Sequence, residues 1–368
     1  MVIKVKREFL EALLDRAATV SGGTVQSFLR TFLIETSDGE LTIVRTDTVL
    51  AAVARTKCYE TDTEASQYRI LVDSDKFYQL IKSFSGEVVE IEDVGNHLLR
   101  ISCGNYVGSW KNEDISKFPS LPSFSQKENR IRVSAKDFVQ AIERVKYAGA
   151  TKTFNFAFRQ IYFDKGFCWA TDGSRYQDVV CKAVNFPIVL PLIAVDVARF
   201  IRLTGAENLD IERDESNFYF RVGEDLYICK NPSVSPPINP KDTYFKSSGV
   251  NKRPGWFVFE VGRLKEIVRR IGITSTIGDS RISFHVKSSE IVLSGVDDVG
   301  NKSQESMLIT FQGDSQAMKK FDVQWDYMEE ALSAVKVASA EFVIGESHIA
   351  LRSDDSFGIL PMLKERNE

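Results

Sequence analysis

The sequence has few of the side chains from which catalytic and metal sites are commonly built. Only three of its 368 residues are histidines, at His97, His285 and His348. Each of them lies in an alternating, strand-like segment, and no HExxH, P-loop or GxSxG motif occurs in the chain. We therefore expect a protein that is not an enzyme and that uses no metal ion or other cofactor.

Cysteine is also scarce, and its spacing excludes two common kinds of site. The five cysteines form no CxxC pair, which argues against a zinc ribbon and against a dithiol redox motif. Cys58 stands between a lysine and a tyrosine and is expected to be partly exposed. The other four lie in apolar or alternating segments, where cysteine packs as a small hydrophobic residue: Cys103, Cys168, Cys181 and Cys229.

Long apolar runs are absent as well. No run approaches the roughly 18–20 residues that a membrane-spanning helix requires. The opening MVIKVKREFLEALL is strand-like and then amphipathic, and it lacks the apolar core and cleavage site of a secretory signal. Hydrophobic residues make up 43% of the chain and charged residues 27%, as is usual in folded soluble proteins. The sequence predicts a cytoplasmic protein that is long enough for two or three domains.

The chain has no excess of basic residues, and its formal net charge is −4. Proteins that hold DNA by neutralising many phosphates are usually basic. The overall charge therefore argues against a conventional DNA-binding domain, but it leaves room for local basic surfaces.

What the sequence does contain is a threefold repeat of an amphipathic helix. Its copies are KREFLEALLDRAATVSG (6–22), SAKDFVQAIERVKYAGA (134–150) and EVGRLKEIVRRIGITST (260–276). Each copy has apolar residues at helical spacing, basic residues on the opposite face and a glycine near its end, which is typical of a helix stop. From Phe9 to Phe138 is 129 residues, and from Phe138 to Leu264 is 126.

A second helix recurs with a similar period. Its copies are DSDKFYQLIKSFSG from residue 73, AVDVARFIRLTG from 194 and DVQWDYMEEALSAV from 322. From Phe77 to Phe200 is 123 residues, and from Phe200 to Met328 is 128. Two helix series with one period predict three repeated domains, which we place at 1–124, 125–246 and 247–368.

Between these helices lie segments of alternating apolar and polar residues, which predict antiparallel hairpins. Their turns are expected at Gly95-Asn96, Gly223-Glu224 and Ser288-Ser289. The stretch ATDGSRY (170–176) is by local rules another hairpin turn, with an arginine and an aromatic residue behind it. The pattern predicts an α+β fold in which each domain packs two helices on antiparallel sheets.

Taken in order, these features resemble the bacterial DNA polymerase III beta subunit, the sliding clamp family. The resemblance is carried by the length, the repetition, REFLEALLDRAATVSG (7–22), ISKFPSLPS (115–123), ATDGSRY and LPM (360–362). It implies the DNA clamp fold, in which two subunits join head-to-tail in a ring around duplex DNA. Because a ring holds DNA topologically, weak and sequence-independent phosphate contacts are sufficient. The imperfect motifs are compatible with a divergent member, including one carried by a phage or mobile element.

The resemblance implies that basic residues of the repeated helices, and Lys152 in a polar turn, face the DNA. The alternative for each residue is an ordinary solvated helix face. Little DNA contact is expected from the last helix, because DYMEEALSAVKV has two glutamates and one late lysine. The candidates are Arg16, Lys76, Lys82, Arg144, Lys146, Lys152, Arg199, Arg202, Arg263, Lys265, Arg269 and Arg270.

The resemblance also implies a pocket between the second and third domains, into which polymerases, the clamp loader and repair proteins insert a short apolar peptide motif. Arg175 is expected to bond the peptide backbone or to stack on Tyr176. From the residues alone, the alternative is a hairpin corner packed by its neighbours, with GILPM (358–362) as an edge strand. The candidates are Phe158, Thr171, Gly173, Ser174, Arg175, Tyr176, Pro237, Tyr327, Ile349, Ile359, Leu360, Pro361 and Met362.

Two features depart from the family pattern near this pocket. Ser174 stands where the family often has histidine, and KERNE (364–368) extends beyond the usual end of the family. We expect the deletion of 364–368 to leave folding intact.

Ring closure is expected to pair edge strands of the first and third domains. The candidates are Tyr106, Val107, Gly108 and Trp110 on one side, with Ile273 and Thr274 on the other. Tyr106 and Trp110 are equally compatible with core positions. The implied partners are duplex DNA, a DNA polymerase, a clamp loader and a second copy of the chain. The alternative function is a non-ring interaction scaffold derived from clamps.

Overall fold

The computed structural model describes residues 1–21, 27–37, 39–57, 59–61, 67–122, 129–184, 186–237, 246, 249–275, 280–297 and 299–363. The chain divides into two compact units. Unit 1 comprises Met1–Val139 and Ile193–Ser233, and unit 2 comprises Gln140–Leu192 and Val234–Glu368. These bounds differ from those of the three domains expected from the repeat, so that division stays a prediction. Cys58 and the tail 364–368 lie outside the described residues.

Six α-helices of the described chain lie where the two repeated patterns predict them. Their apolar faces are buried, as Leu10, Leu13 and Ala17 of the first helix illustrate. The second helix begins where the Asp73 carboxylate accepts a hydrogen bond from the Lys76 amide at 2.9 Å. The helices are α1 Arg7–Ala17, α2 Ser74–Ser83, α3 Ala135–Val145, α4 Asp196–Thr204, α5 Val261–Ile273 and α6 Trp325–Ala334.

One predicted helix stop is wrong. Gly272 does not end α5 but lies buried within its last turn. A β-carbon at Gly272 would overlap the indole ring of Trp325, whose Nε1 donates a hydrogen bond to the Val268 carbonyl at 3.1 Å. The glycine is therefore required by close packing between α5 and α6. By contrast, Gly205 caps α4 with a φ of +67°, as a helix stop requires.

Unit 1 contains two antiparallel sheets. In the five-stranded sheet the strand order is β5-β1-β7-β8-β9, and in the eight-stranded sheet it is β10-β15-β16-β17-β4-β3-β2-β6. Helix α1 packs against α2 and α4 within this unit. The strands are β1 Val2–Lys6, β2 Thr31–Ser37, β3 Glu40–Thr46, β4 Leu50–Thr56, β5 Tyr59–Thr61, β6 Gln67–Asp73, β7 Val88–Gly95, β8 Leu98–Cys103, β9 Tyr106–Lys111, β10 Asn129–Ser134, β15 Asn208–Arg213, β16 Asn217–Val222 and β17 Asp225–Lys230.

Unit 2 also contains two antiparallel sheets. Their orders are β14-β11-β12-β13-β26-β25-β24-β18-β22 and β21-β20-β19-β23. Helices α5 and α6 pack together over a core in which the rings of Phe257 and Phe342 stack 4.9 Å apart. The strands are β11 Gln160–Asp164, β12 Phe167–Thr171, β13 Tyr176–Val180, β14 Ile188–Pro191, β18 Gly255–Glu260, β19 Arg281–Val286, β20 Glu290–Val296, β21 Lys302–Leu308, β22 Gln312–Gly313, β23 Lys320–Gln324, β24 Ser339–Ile344, β25 His348–Arg352 and β26 Ser356–Pro361.

The predicted hairpins are confirmed. Strands β7 and β8, β16 and β17, and β19 and β20 pair on either side of the three expected turns. ATDGSRY joins β12 to β13, with Thr171 opposite Tyr176 in the register. The fold is therefore α+β with antiparallel sheets, as the sequence predicts.

Four cysteines pack as expected: Cys103, Cys168, Cys181 and Cys229 are buried and free. Within the described ranges, no group of three or more histidine, cysteine or carboxylate side chains is placed to hold a metal ion. None of the described helices combines the length and the apolar character that a membrane span needs.

In unit 1, a carboxylate on β15 pairs with the edge strand β10, and the stability that this pairing contributes depends on pH. Asp210 accepts hydrogen bonds from Arg130 and Arg132 at 2.8 Å, and bonding to Arg132 is the main cause that lowers its pKa from 3.8 to about 2. Because the folded pKa is the lower one, this contribution is complete above pH 3.8 and is lost as the pH falls towards 2. We expect Asp210→Asn to lower the free energy of unfolding by about 1 kcal/mol at pH 7. Urea unfolding of both proteins should give curves that converge near pH 2, and a constant difference across this range would contradict the assignment.

Candidate functional site

The turn between β12 and β13 is built by its own side chains. The Asp172 carboxylate accepts hydrogen bonds from the amides of Ser174 and Arg175 at 2.8 and 2.6 Å. Thr171 is fully buried, and its hydroxyl donates to the Arg175 carbonyl at 2.5 Å. Such an Asx turn fixes the backbone, because the side chain replaces bonds that a regular strand would make.

Gly173 brings this turn against Phe158. The residue has a φ of +93°, and a β-carbon there would lie 3.0 Å from the Phe158 ring. Phe158 is half-buried and belongs to the 3-10 helix Phe156–Arg159. Glycine therefore meets two demands at once, namely a left-handed backbone and contact with an aromatic ring.

Arg175 is only 8% exposed, and its guanidinium pairs with two carboxylates. Its Nε donates to Asp172 at 2.7 Å and its Nη1 to Glu330 on α6 at 3.1 Å. The guanidinium lies 3.9 Å from the ring centre of Tyr327 and 5.9 Å from that of Tyr147, in a cation–π arrangement. Arg175 thus joins the turn to α6 and stacks on Tyr327, not on Tyr176 as the sequence suggested.

The C-terminal strand β26 lies beside the turn. Tyr176 of β13 is opposite Ile359 of β26, and Leu360 is opposite Ile349 of β25. Ile349, Ile359 and Leu360 are fully buried in the apolar cores of unit 2. Pro361 and Met362 are half-buried, and Met362 packs against the same apolar core as Tyr147 and Tyr327.

Tyr176 is turned away from solvent. It is 3% exposed, its ring lies 6.1 Å from that of Trp169, and its hydroxyl donates to Asp178 at 3.0 Å. Tyr176 therefore cannot present its ring to a guest without unpacking, and it supports the turn. Ser174 is exposed at the tip of the turn. Pro237 is half-buried, and its role stays a prediction.

We use the name groove for the candidate peptide site, which comprises Phe158 with Gly173, Arg175 with Tyr327, and Met362 on the same core as Tyr327. Sequence reasoning missed two side chains beside it, Tyr147 and Glu330. Tyr147 donates from its hydroxyl to Gln177 at 2.7 Å, and burial raises its pKa far above the usual value. Glu330 is 155 positions from Arg175, and no local pattern could have paired them.

The predicted DNA-facing residues fall into groups that differ in exposure. Exposed side chains on helices include Arg263 and Arg270, which share Glu305 of β21 at 2.8 Å, and Lys82, which pairs with Asp15 at 2.9 Å. Lys146 pairs with Glu143, and Lys265 is half-buried, which lowers its pKa. The other exposed cations are Lys76, Lys152, Arg199, Arg202 and Arg269.

Two of these candidates serve the fold. Arg16 forms an ion pair with Asp225 at 2.9 Å, and both side chains are nearly buried. Arg144 donates to both carboxylate oxygens of Asp355 at 2.8 and 3.0 Å, and to the Ala334 carbonyl at the end of α6 at 2.6 Å. The hydrogen bonds from Arg144 are the main reason that the pKa of Asp355 is lowered. Neither guanidinium is available to a phosphate without breaking these contacts.

We expect Arg144→Met to lower the free energy of unfolding by about 2 kcal/mol, because it leaves the Ala334 carbonyl without its charged donor. Lys146→Met is the matched control, since Lys146 pairs with Glu143 in a half-exposed position and its loss should change stability by less than about 0.5 kcal/mol. Urea titration of the three proteins measures the difference. Equal midpoints for the two variants would show that Arg144 has no structural role.

The predicted ring contacts are partly on an edge strand. β9 is the edge of its sheet, and Val107 on it is 66% exposed. Trp110 donates from its indole to the Tyr106 hydroxyl at 3.3 Å, and a β-carbon at Gly108 would overlap the Tyr106 ring. Both aromatic residues thus pack on their own sheet while remaining at its edge.

The other predicted ring contacts are not on a strand. Ile273 is the last residue of α5 and is 80% exposed, and Thr274 caps that helix. The edge strand nearby is β21, because Thr274 and Ser303 bond through their hydroxyls. Sequence reasoning missed this strand, although its alternating pattern ends in Leu308, which is 85% exposed.

Relatives of known structure share this fold. The Pseudomonas aeruginosa DNA polymerase III subunit beta is 17% identical, with 99% of this chain and 100% of that chain covered and a TM-score of 0.84. The Thermotoga maritima beta subunit is 15% identical, with the same coverage and a TM-score of 0.84. A Pseudomonas aeruginosa sliding clamp bound to griselimycin is 16% identical, covers 99% and 100% of the two chains and has a TM-score of 0.83.

A family model matches the first part of the chain. Residues 1–128 match the DNA polymerase III beta subunit, N-terminal domain. The comparison with curated proteins finds no significant match. The whole chain therefore has the fold of the solved bacterial sliding clamps, and its residues 1–128 match the family model of the DNA polymerase III beta subunit, N-terminal domain.

Proposed function

We propose that the protein is a DNA sliding clamp, a non-catalytic processivity factor that encircles duplex DNA. The observation that carries this proposal is the coverage of the fold, because 99% of the chain superposes on 100% of a solved clamp subunit with a TM-score of 0.84. A clamp built from three repeated domains, at 1–124, 125–246 and 247–368, accounts for the two helix series of one period. The cytoplasm is the compartment in which such a protein would meet DNA.

The exposed cations of the helices support contact with duplex DNA. Lys76, Arg199 and Arg269 are exposed, and so are Lys152 and Arg202. We leave Arg16 and Arg144 out of this set because acids of the fold hold their guanidinium groups. A small number of phosphate contacts suits a protein that must slide, since each neutralised phosphate adds to the salt-dependent affinity.

Ring closure by two copies is supported by the two edge strands. β9 and β21 each leave one side of their backbone unpaired by the described strands, and each carries an exposed apolar residue, Val107 and Leu308. Pairing β9 of one copy with β21 of the next, beside Ile273, would cover these residues in a head-to-tail arrangement.

We propose further that DNA polymerase and clamp loader dock through a short apolar peptide in the groove. Phe158, Tyr327 and Met362 offer aromatic and adaptable side chains that accept aliphatic or aromatic anchors. The buried network around Arg175 keeps the groove in one shape, which reduces the entropy lost on binding.

Sedimentation distinguishes the ring from a non-ring scaffold. At micromolar concentration we expect a dimer of the 41.5 kDa chain. Leu308→Lys, which places a charge in the proposed joint, should shift the population to monomer, while Leu203→Lys on α4, an equally polar change at an exposed site, should not. A protein that stays monomeric at all concentrations favours the scaffold.

A further inference from the structure

Helix α6 gives the groove an acidic wall. Its sequence WDYMEEALSA contains three carboxylates and no basic residue. Asp326 and Glu330 are exposed and Glu329 is half-exposed, while Tyr327 between them faces Arg175. A guest that lies on Tyr327 therefore comes close to at least two of these acids.

The positive charge of Arg175 does not balance this wall. Its guanidinium already bonds Asp172 at 2.7 Å and Glu330 at 3.1 Å, and it is nearly buried. One guanidinium thus bonds two carboxylates, those of Asp172 and Glu330, while Asp326 and Glu329 add negative charge beside Glu330. Among the described residues, Arg175 donates to only one oxygen of Glu330, and the Glu330 side chain is 47% exposed.

The electrostatics of Glu330 point the same way. Burial raises its pKa above the usual value, Asp326 and Glu329 raise it further, and Arg175 lowers it. Keeping the Glu330 carboxylate ionised therefore costs free energy, and a further cation nearby would reduce that cost. The same field opposes the phosphates of nucleic acid, so that this surface suits a protein segment.

We propose that the guest of the groove is a peptide that carries a lysine or arginine beside its apolar anchor, and that Glu330 receives this cation. The inference rests on the proposed docking groove and adds the charge of the partner to it. The apolar anchor contacts Phe158 and Met362, and the basic residue lies over the outer edge of α6. Charge complementarity of this kind selects among peptides that share the same anchor.

The test uses two fluorescent peptides with identical leucine and phenylalanine anchors, one with a flanking lysine and one with a glutamate in its place. Anisotropy titrations with the full chain at low ionic strength should show the lysine peptide binding about fivefold more tightly. Glu330→Gln should reduce this preference to less than about twofold, whereas Glu215→Gln, on an exposed turn of unit 1, should leave it unchanged.

A second variant tests whether Glu330→Gln acts through its charge or by changing the structure of the groove. Asp326→Asn leaves the bond between Arg175 and Glu330 in place and should still reduce the preference. Added salt should narrow the difference between the peptides in the parent protein. Equal affinities, or tighter binding of the glutamate peptide, would overturn the charge inference alone. If neither peptide binds, the docking groove itself is refuted, and the inference with it.

Discussion

Gly272→Ala should lower the free energy of unfolding of the protein by about 3 kcal/mol, the largest change we expect from one added methyl group. The β-carbon would overlap the Trp325 indole, which lies across the last turn of α5. To make room, the ring has to move and break its hydrogen bond to the Val268 carbonyl. Urea unfolding followed by circular dichroism measures the change.

Gly262→Ala is the matched control, because it makes the same substitution near the start of the same helix. Its β-carbon would meet only the Glu260 carboxylate, at 3.9 Å. This variant should be unchanged or more stable by about 0.5 kcal/mol, since alanine is the better helix former. A smaller ring at position 325, as in Gly272→Ala/Trp325→Leu, should recover part of the loss. Unaltered stability of Gly272→Ala would show that α5 and α6 do not pack as described.

Gly173→Ala should weaken binding of an apolar-anchor peptide by tenfold or more, on the order of 1.4 kcal/mol. The φ of +93° is unfavourable for alanine, and the new β-carbon would press on Phe158 at 3.0 Å. Both the turn and the aromatic side of the groove would shift. Anisotropy titration with a labelled peptide measures the affinity, and thermal unfolding measures the stability.

Gly166→Ala separates the effect of backbone strain from the effect of the contact with Phe158. Gly166 lies in the turn between β11 and β12 with a φ of +80°, and its β-carbon would meet only Lys182, at 3.7 Å. The backbone strain is similar in the two variants, so both should lose about 1–2 kcal/mol of stability. Only Gly173→Ala should lose peptide affinity. Peptide binding that is equally affected in both variants would place the peptide site elsewhere.

Much of the fold follows from local sequence patterns. The helices are amphipathic, and their apolar stripes bury the residues that the spacing selects, such as Leu264 and Ile267 of α5. Hairpins joined by two-residue turns follow from alternation, because both strands and their turn are adjacent in the chain. The sequence pattern mispredicts Gly272, because a glycine at a helix stop and a glycine packed under a tryptophan have the same local pattern.

The candidate site is less predictable from local patterns, because distant segments build it. The Asx turn at Asp172 has a local signal, but the position of Arg175 depends on Glu330 and Tyr327 of a helix far along the chain. Likewise, Arg144 has the helical spacing of a surface cation, and only the fold places Asp355 beside it. Ion pairs and stacking between remote segments leave no periodic signal in sequence.

Retention on circular DNA tests the central claim most directly. The protein is incubated with nicked circular duplex DNA, with and without a clamp loader and ATP, and the complex is isolated by gel filtration in about 0.5 M salt, where weak phosphate contacts are largely lost. A ring should remain on the circle and leave once a restriction enzyme has made the DNA linear. Release by salt to the same extent from circular and linear DNA would contradict the sliding clamp.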